Sequence, residues 1–326
     1  MNNLKKVGLT ALAGSLVAFS AQALEMSASG SAKITYVDEG EGSTGNTDVT
    51  GNPYGFDQAV AFSGSGDTDF GTISVSHVIN VNGPATSSSL ISLDMGDAGK
   101  ISLDGGVGNS GAGTYKDMLP RAAGAEQAWD DTDGDAYFID TPTQGNWGYD
   151  NTFAGFDVTL SYAKNGGGNS GDDANTDAGD DSSKSIGVKT SSLSDGLTVG
   201  AAIASTDSAT STDADNESTA FVTYAVGPMT FGLQMSEINT AANDAVSTMY
   251  GVAININENA SVSYNARDVE LGDGTGSTKD QEDRGIAASY TMGSMTVSAF
   301  NNAVDNAGGT ANKEDEVTQI TVSFAF

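Results

Sequence analysis

The sequence alternates between large apolar residues and small or polar ones along many short stretches, and this two-residue period most limits the fold. In Phe156–Tyr162, "FDVTLSY", every second residue is large and apolar, and the residues between are Asp, Thr and Ser. The stretches "MTFGLQMS" (229–236) and "SVSYNAR" (261–267) repeat the pattern. A period of two is typical of β-strands, whose side chains point alternately to opposite faces. The chain is therefore predicted to be all-β, with one apolar and one polar sheet face.

Short turns rich in Gly, Pro, Asn and Asp alternate along the chain with longer polar loops. The pattern predicts sixteen strands, at 25–37, 55–63, 71–80, 88–94, 100–104, 146–153, 156–164, 184–192, 196–204, 218–226, 229–238, 247–256, 260–269, 284–292, 295–303 and 317–326. A soluble sandwich would place its large residues inside and gives no reason for alternating turn lengths. An antiparallel transmembrane β-barrel explains both, because its apolar face contacts lipid and its polar face contacts water. A barrel of sixteen strands encloses an aqueous channel.

The amino terminus has the pattern of an export signal. Two basic residues, Lys5 and Lys6, precede an apolar run at 7–19, and the run ends in small residues at Ala21 and Ala23. This pattern is typical of a cleaved secretory signal peptide, and the run is too short to cross a bilayer as a helix. We therefore expect residues 1–23 to be removed and residues 24–326 to form a single barrel domain.

The charge and the residue types exclude several functions. The chain has 43 acidic and 13 basic residues, and the net charge of −30 becomes −32 without Lys5 and Lys6. Such a polyanion repels nucleic acid, and the chain has no basic stripe. It has no cysteine and a single histidine, His77, which excludes disulfides and disfavours zinc chemistry. Since His77 has no nucleophile beside it in the sequence pattern, we do not expect an enzyme.

Three stretches carry a resemblance to a known family. They are "LEMSASGSAKITY" (24–36), "LISLDMGDAGKISLDGG" (90–106) and the final strand, which ends at Phe326. With the rhythm of turns and loops, the sequence resembles general Gram-negative porins, and among them the alphaproteobacterial porins. The resemblance implies a homotrimer of sixteen-stranded barrels in the outer membrane, in contact with lipid and lipopolysaccharide. It also implies that the barrel assembly machinery reads Phe326, and that the third long loop folds inward.

The loop that corresponds to the family's inward loop is the longest connection in the sequence, 105–145, and a loop of that length is usually functional. Its carboxylates are expected to form one acidic wall of a constriction. They are Asp117, Glu126, Asp130, Asp131, Asp133, Asp135 and Asp140.

The opposing wall is expected to be basic. Alternation places Lys33, Lys189 and Arg267 on the polar face of their strands. Facing the acidic loop, they would produce a transverse field that selects solutes by charge and dipole. The alternative is that each residue lies at a rim, because alternation does not give depth in the membrane.

The acidic loop also contains a candidate calcium site. Asp131, Asp133 and Asp135 alternate around Gly134, as in the oxygen-rich start of a calcium-binding loop. The sequence is not an EF-hand, since Pro142 stands at the twelfth position, where that motif has Glu. A solvated acidic loop without Ca²⁺ is the alternative.

The function that these features favour is passive diffusion of small hydrophilic solutes and ions, with weak cation selectivity from the net negative charge. The alternative is a secreted, calcium-binding adhesin or surface-layer protein, favoured by the richness in Asp and Gly. That class predicts Asp-Gly repeats of fixed period, which the sequence lacks.

Overall fold

The strands close into one barrel. The computed structural model describes residues 25–39, 51–81, 85–134, 139, 144–164, 182–207, 215–239, 244–272 and 279–326. Within these ranges the strands are β1 (Glu25–Glu39), β2 (Tyr54–Thr68), β3 (Gly71–Asn80), β4 (Ala85–Asp94), β5 (Lys100–Gly105), β6 (Gln144–Phe153), β7 (Phe156–Lys164), β8 (Ser182–Thr190), β9 (Leu197–Asp207), β10 (Asp215–Val226), β11 (Met229–Asn239), β12 (Asp244–Asn255), β13 (Ala260–Leu271), β14 (Gln281–Met292), β15 (Met295–Asp305) and β16 (Asp315–Ala325). Each strand pairs antiparallel with its neighbours in the chain, and β1 pairs with β16. The predicted sixteen-stranded antiparallel barrel is confirmed, whereas the predicted signal peptide, 1–23, lies outside the described residues.

The two faces of the strands have opposite exposure. On β11, Phe231, Leu233 and Met235 are exposed, whereas Gln234 and Ser236, which alternate with them, are buried. On β7 the aromatic Tyr162 is likewise exposed. The barrel therefore has an apolar outer surface and a mainly polar interior, the arrangement expected when lipid surrounds the protein.

The connections at the two rims differ in length. On one rim they are short, such as Gly227–Pro228 and 293–294, and Gly293 has φ 60°, a conformation that glycine adopts without strain. On the other rim most are longer, although 81–84 and 240–243 have only four residues each. The helical elements among the described residues are short 3₁₀ turns, and none is long and apolar enough to cross a membrane.

The last residue takes part in closing the barrel. The Gly30 amide donates to the Phe326 carbonyl at 2.7 Å, and the Phe326 amide donates to the Gly30 carbonyl at 2.9 Å. A Cβ atom at Gly30 would lie 2.2 Å from the Phe326 ring, so the ring packs where this strand has no side chain. The Ala325 amide donates to Ser294 in a short turn at 3.0 Å, which places the carboxyl terminus at the short-turn rim.

Candidate functional site

The chain that follows β5 enters the barrel. The Asp104 carboxylate, 1% exposed, accepts hydrogen bonds from the amides of Gly106 (2.9 Å), Val107 (2.6 Å) and Asn109 (3.0 Å), which turns the chain away from the strand. Residues 106–134, called the inner segment below, then contact the polar face of β7, β8, β11, β13, β14, β15 and β16. Since that face is the inside of a closed barrel, the inner segment crosses the interior.

Wall hydroxyl groups accept hydrogen bonds from the backbone amides of the inner segment. The pairs are Gly111 with Thr159 (2.7 Å), Ala112 with Ser185 (2.8 Å), Ala122 with Ser263 (2.9 Å) and Ala123 with Ser261 (3.1 Å). Side-chain amides donate in the other direction, Asn265 to the Pro120 carbonyl (3.0 Å) and Asn302 to the Gln127 carbonyl (2.7 Å). These bonds satisfy backbone groups that would otherwise be buried without partners. The small polar residues on the inner face therefore serve as acceptors and donors for the segment.

Gln234 on β11 holds the middle of the inner segment. Its Nε2 donates to the carbonyls of Tyr115 (2.7 Å) and Lys116 (2.9 Å), and its Oε1 accepts from the Met118 amide (2.9 Å). Its side chain is completely buried. One amide side chain thus fixes three backbone groups within four residues.

Glycines on the inner face make room for the segment. A Cβ atom at Gly232 would lie 2.4 Å from Cδ of Pro120, and one at Gly187 would lie 2.4 Å from the Tyr115 ring. Gly285 likewise faces Ala128, whose Cα would lie 2.8 Å from an added Cβ. Glycine within a strand often marks such a close approach.

Arg267 joins the wall to the end of the inner segment. Its Nε lies 2.8 Å from Asp283 Oδ2, and its Nη2 donates to the Gly134 carbonyl at 2.5 Å. The guanidinium carbon lies 5.1 Å from the centre of the Trp129 ring, within the range of a cation–π contact. Arg267 and Asp283 both have fully buried side chains. The structure therefore encloses Arg267, one of the three predicted basic-wall residues, beneath the segment.

The other two predicted basic residues, Lys33 and Lys189, lie on the inner face. Lys189 pairs in register with Asp157, and its ammonium lies 6.0 Å from the centre of the Tyr115 ring. Lys189 lines a cavity of about 770 Å³, and Lys100 lines the same cavity. The sequence did not point to Lys100 as a residue of the basic wall. Lys33 is exposed and stands opposite Asp57 of β2, and its strand, β1, is separated from Arg267 on β13 by β14, β15 and β16. The structure therefore does not gather the three residues into one cluster.

Several carboxylates of the inner segment have partners within bonding distance. Glu126 lies 3.9 Å from Arg121 of the same segment, and the Asp133 carboxylate lies 2.8 Å from the Lys313 ammonium. Asp130 accepts from the Gln127 amide at 2.7 Å. The pair of Arg121 and Glu126 could be suspected from the sequence, since the opposite charges stand five residues apart. The pair of Lys313 and Asp133 could not, because the two residues are distant in the chain.

The remaining predicted carboxylates differ in their surroundings. Asp117 is half-buried and Asp131 is exposed with φ 60°, whereas Asp135 and Asp140 lie outside the described residues. Among the residues that the structure describes, no three His, Cys, Asp or Glu side chains form a group that could hold a metal ion. Because Asp135 is one of its three candidate ligands, the calcium site stays a prediction.

Tyr115 has a perturbed ionisation. Burial of the phenol, with smaller contributions from the negative charges of Asp157 and Asp150, raises its pKa from 10.0 to about 12. The ring also packs against Phe221 at 5.8 Å between centres. Tyr115 therefore acts as a neutral anchor of the segment over the ordinary pH range.

Comparisons with known proteins agree with this architecture. The family model described as Gram-negative porin matches residues 8–326. No curated protein sequence matches the chain. Among solved structures, a porin refined at 1.8 Å resolution is 17% identical, with a TM-score of 0.62 over 93% of this chain and 100% of that one. OmpF of Salmonella typhi in complex with daunomycin is 13% identical, with a TM-score of 0.66 over 92% and 97%. A triple mutant of the Rhodopseudomonas blastica porin is 15% identical, with a TM-score of 0.62 over 92% and 100%.

Proposed function

Because the chain belongs to the Gram-negative porin family, we propose that it forms a water-filled channel for passive diffusion of small hydrophilic solutes and ions across the outer membrane. The observation that carries the proposal is the closed barrel with an apolar outside, a polar inside and an inner segment fastened across the interior. A polar interior keeps water in the barrel, and a segment across it limits the size of solutes that pass. The proposed role is a channel and not an enzyme. A secreted adhesin would expose the apolar outer surface to water, which disfavours that alternative.

Reconstitution into liposomes tests this function. Vesicles that contain the protein should swell in isotonic solutions of small uncharged solutes, at a rate that falls steeply as solute size increases. A size series of sugars and polyols gives the cut-off. Swelling no faster than that of protein-free vesicles, from protein that is folded by circular dichroism, would contradict the proposal.

We propose a weak preference for cations. The net charge of −32 that remains without Lys5 and Lys6 concentrates cations near the channel mouths. The basic residues Lys33, Lys100 and Lys189 on the inner face act against a stronger preference. The reversal potential across a planar bilayer with a KCl gradient measures the sign, and a clear preference for chloride would refute the charge argument.

The proposed location and assembly follow the family. Residues 1–23 would direct export and be cleaved, and the barrel would assemble as a homotrimer among lipid and lipopolysaccharide. Phe326, at the short-turn rim, would be the residue that the barrel assembly machinery recognises. Electrophoresis of detergent extracts with and without heating tests the trimer: the unheated protein should migrate as a compact oligomer and the heated protein as a monomer. Migration as a monomer in both lanes would refute the trimer.

A further inference from the structure

Serine residues on the inner face have two different surroundings. On β7, β8 and β13, Ser161, Ser185, Ser261 and Ser263 are almost fully buried, and three of them accept bonds from the inner segment. On β1 to β4, by contrast, the inner-face serines stand in front of an open cavity of about 440 Å³. Six of them line this cavity and are called the open serine wall: Ser27, Ser63, Ser65, Ser74, Ser76 and Ser92.

Strand register places these serines in adjacent rows. Ser27 pairs with Ser63, and Ser63 pairs with Ser76, which gives one row across β1, β2 and β3. Ser65, Ser74 and Ser92 form the second row across β2, β3 and β4. Neighbouring strands lie about 4.8 Å apart, so the hydroxyl groups form a continuous patch. Ser27 and Ser63 already join through their hydroxyl groups at 2.7 Å.

The chemistry of this patch selects a kind of solute. A serine hydroxyl donates one hydrogen bond, accepts others, and rotates to suit its partner. A solute that carries many hydroxyl groups can therefore replace wall-bound water bond for bond, at little enthalpic cost. A solute with few hydroxyl groups displaces the same water without replacing its bonds. Of the described residues that line the cavity, Glu25 is the one with a charge, so this part of the wall adds little selection by charge.

We propose that the open serine wall is a track for neutral polyhydroxylated solutes, the class of sugar alcohols and small sugars, and that it favours them over uncharged solutes of equal size with few hydroxyl groups. The proposal rests on the channel function proposed above. It gives that function a solute class which the charged residues do not specify.

The test compares two neutral probes of similar mass in liposome swelling. Sorbitol carries a hydroxyl group on every carbon, whereas tetraethylene glycol carries hydroxyl groups only at its ends. The wild-type channel should pass sorbitol faster, after correction for free diffusion. The variant Ser27→Ala/Ser63→Ala/Ser74→Ala/Ser76→Ala should lower the sorbitol-to-glycol ratio about fivefold, which corresponds to one net hydrogen bond of about 1 kcal/mol. Its KCl conductance should stay unchanged, because no charge is removed.

A matched control uses a buried serine of the inner face, outside the open serine wall. Ser298 lies on the inner face of β15 and is 4% exposed, so Ser298→Ala should leave the ratio unchanged. If the quadruple variant does not fold, Ser63→Ala/Ser76→Ala decides, with an expected fall of about twofold from the smaller loss of hydrogen bonding. An unchanged ratio in a folded, conducting wall variant, or a wild type without preference for sorbitol, overturns the solute class. A wild type that conducts no ions overturns the channel function itself, which is a different outcome.

Discussion

The substitution Gln234→Met should release the middle of the inner segment from the wall. Gln234 is completely buried and bonds the carbonyls of Tyr115 and Lys116 and the amide of Met118. Methionine has a similar volume, so the change removes hydrogen bonds without opening a large cavity. The wall strand itself keeps its backbone pairing with β10 and β12, so the effect should be confined to the segment.

The free energy that holds the segment on the wall should fall by the worth of the bonds that are lost. Three hydrogen bonds to the segment, at about 1 kcal/mol each, give a fall of about 3 kcal/mol. This is a lower bound if a buried backbone group keeps no partner, because such a group costs about 1–3 kcal/mol by itself. A loss of about 3 kcal/mol raises the population of the detached segment more than a hundredfold.

Amide hydrogen exchange measures that population directly. Peptides that cover 111–123 should exchange more than a hundredfold faster in Gln234→Met, whereas peptides from β10 and β12 should keep their protection. Single-channel currents should become noisier, since the segment then moves within the open channel. The control is Gln319→Met, because the Gln319 side chain bonds Thr321 of its own strand. Unchanged exchange at 111–123 in Gln234→Met would refute the anchoring role.

Three further predictions concern the same segment. Arg267→Met leaves the buried Asp283 carboxylate without its cation and should lower the free energy of unfolding by about 3–5 kcal/mol, whereas Arg267→Met/Asp283→Leu should recover most of it; denaturant titration measures both, and equal losses would refute the buried pair. Gly232→Val places side-chain atoms against Pro120 and should cost about 1–3 kcal/mol by overpacking, with faster exchange in the segment; unchanged exchange would contradict the close approach. Because the pKa of Tyr115 is raised from 10.0 to about 12, the folded state keeps a proton that the unfolded state loses, so stability should fall as the pH rises from about 10 to about 12. This fall should be smaller in Tyr115→Phe, and equal pH profiles would refute the assignment.

The strands and their two faces were predictable because successive side chains of a strand point to opposite faces, so the alternation of residue types along the sequence shows which residues share a face. Alternation on β11 separated Leu233 from Gln234, and the structure exposes the first and buries the second. Strand ends were predicted less well. The connection 240–243 is shorter than the sequence indicated, since β11 and β12 extend through polar residues at the rim.

The partners of the inner segment could not be predicted, because they lie far away in the sequence. Arg267 bonds the Gly134 carbonyl, which is 133 residues away in the sequence. The Lys313 ammonium contacts the Asp133 carboxylate, which also lies in a distant part of the sequence. Alternation gives the face on which a residue lies and not which segment covers it. The sequence therefore placed both Arg267 and Lys189 on the polar face and did not show that Arg267 is buried beneath the inner segment. A signal was present in the glycines: Gly187 and Gly232 interrupt strands on the polar face, which indicates a close approach of backbone.

The barrel should hold an open, water-filled channel despite the inner segment. Single-channel recording in a planar bilayer measures whether it does. The purified protein should insert with discrete current steps whose conductance rises in proportion to the bulk conductivity of KCl. A protein that heat-shift electrophoresis shows to be folded, yet that gives no current steps at any KCl concentration, would contradict an open channel.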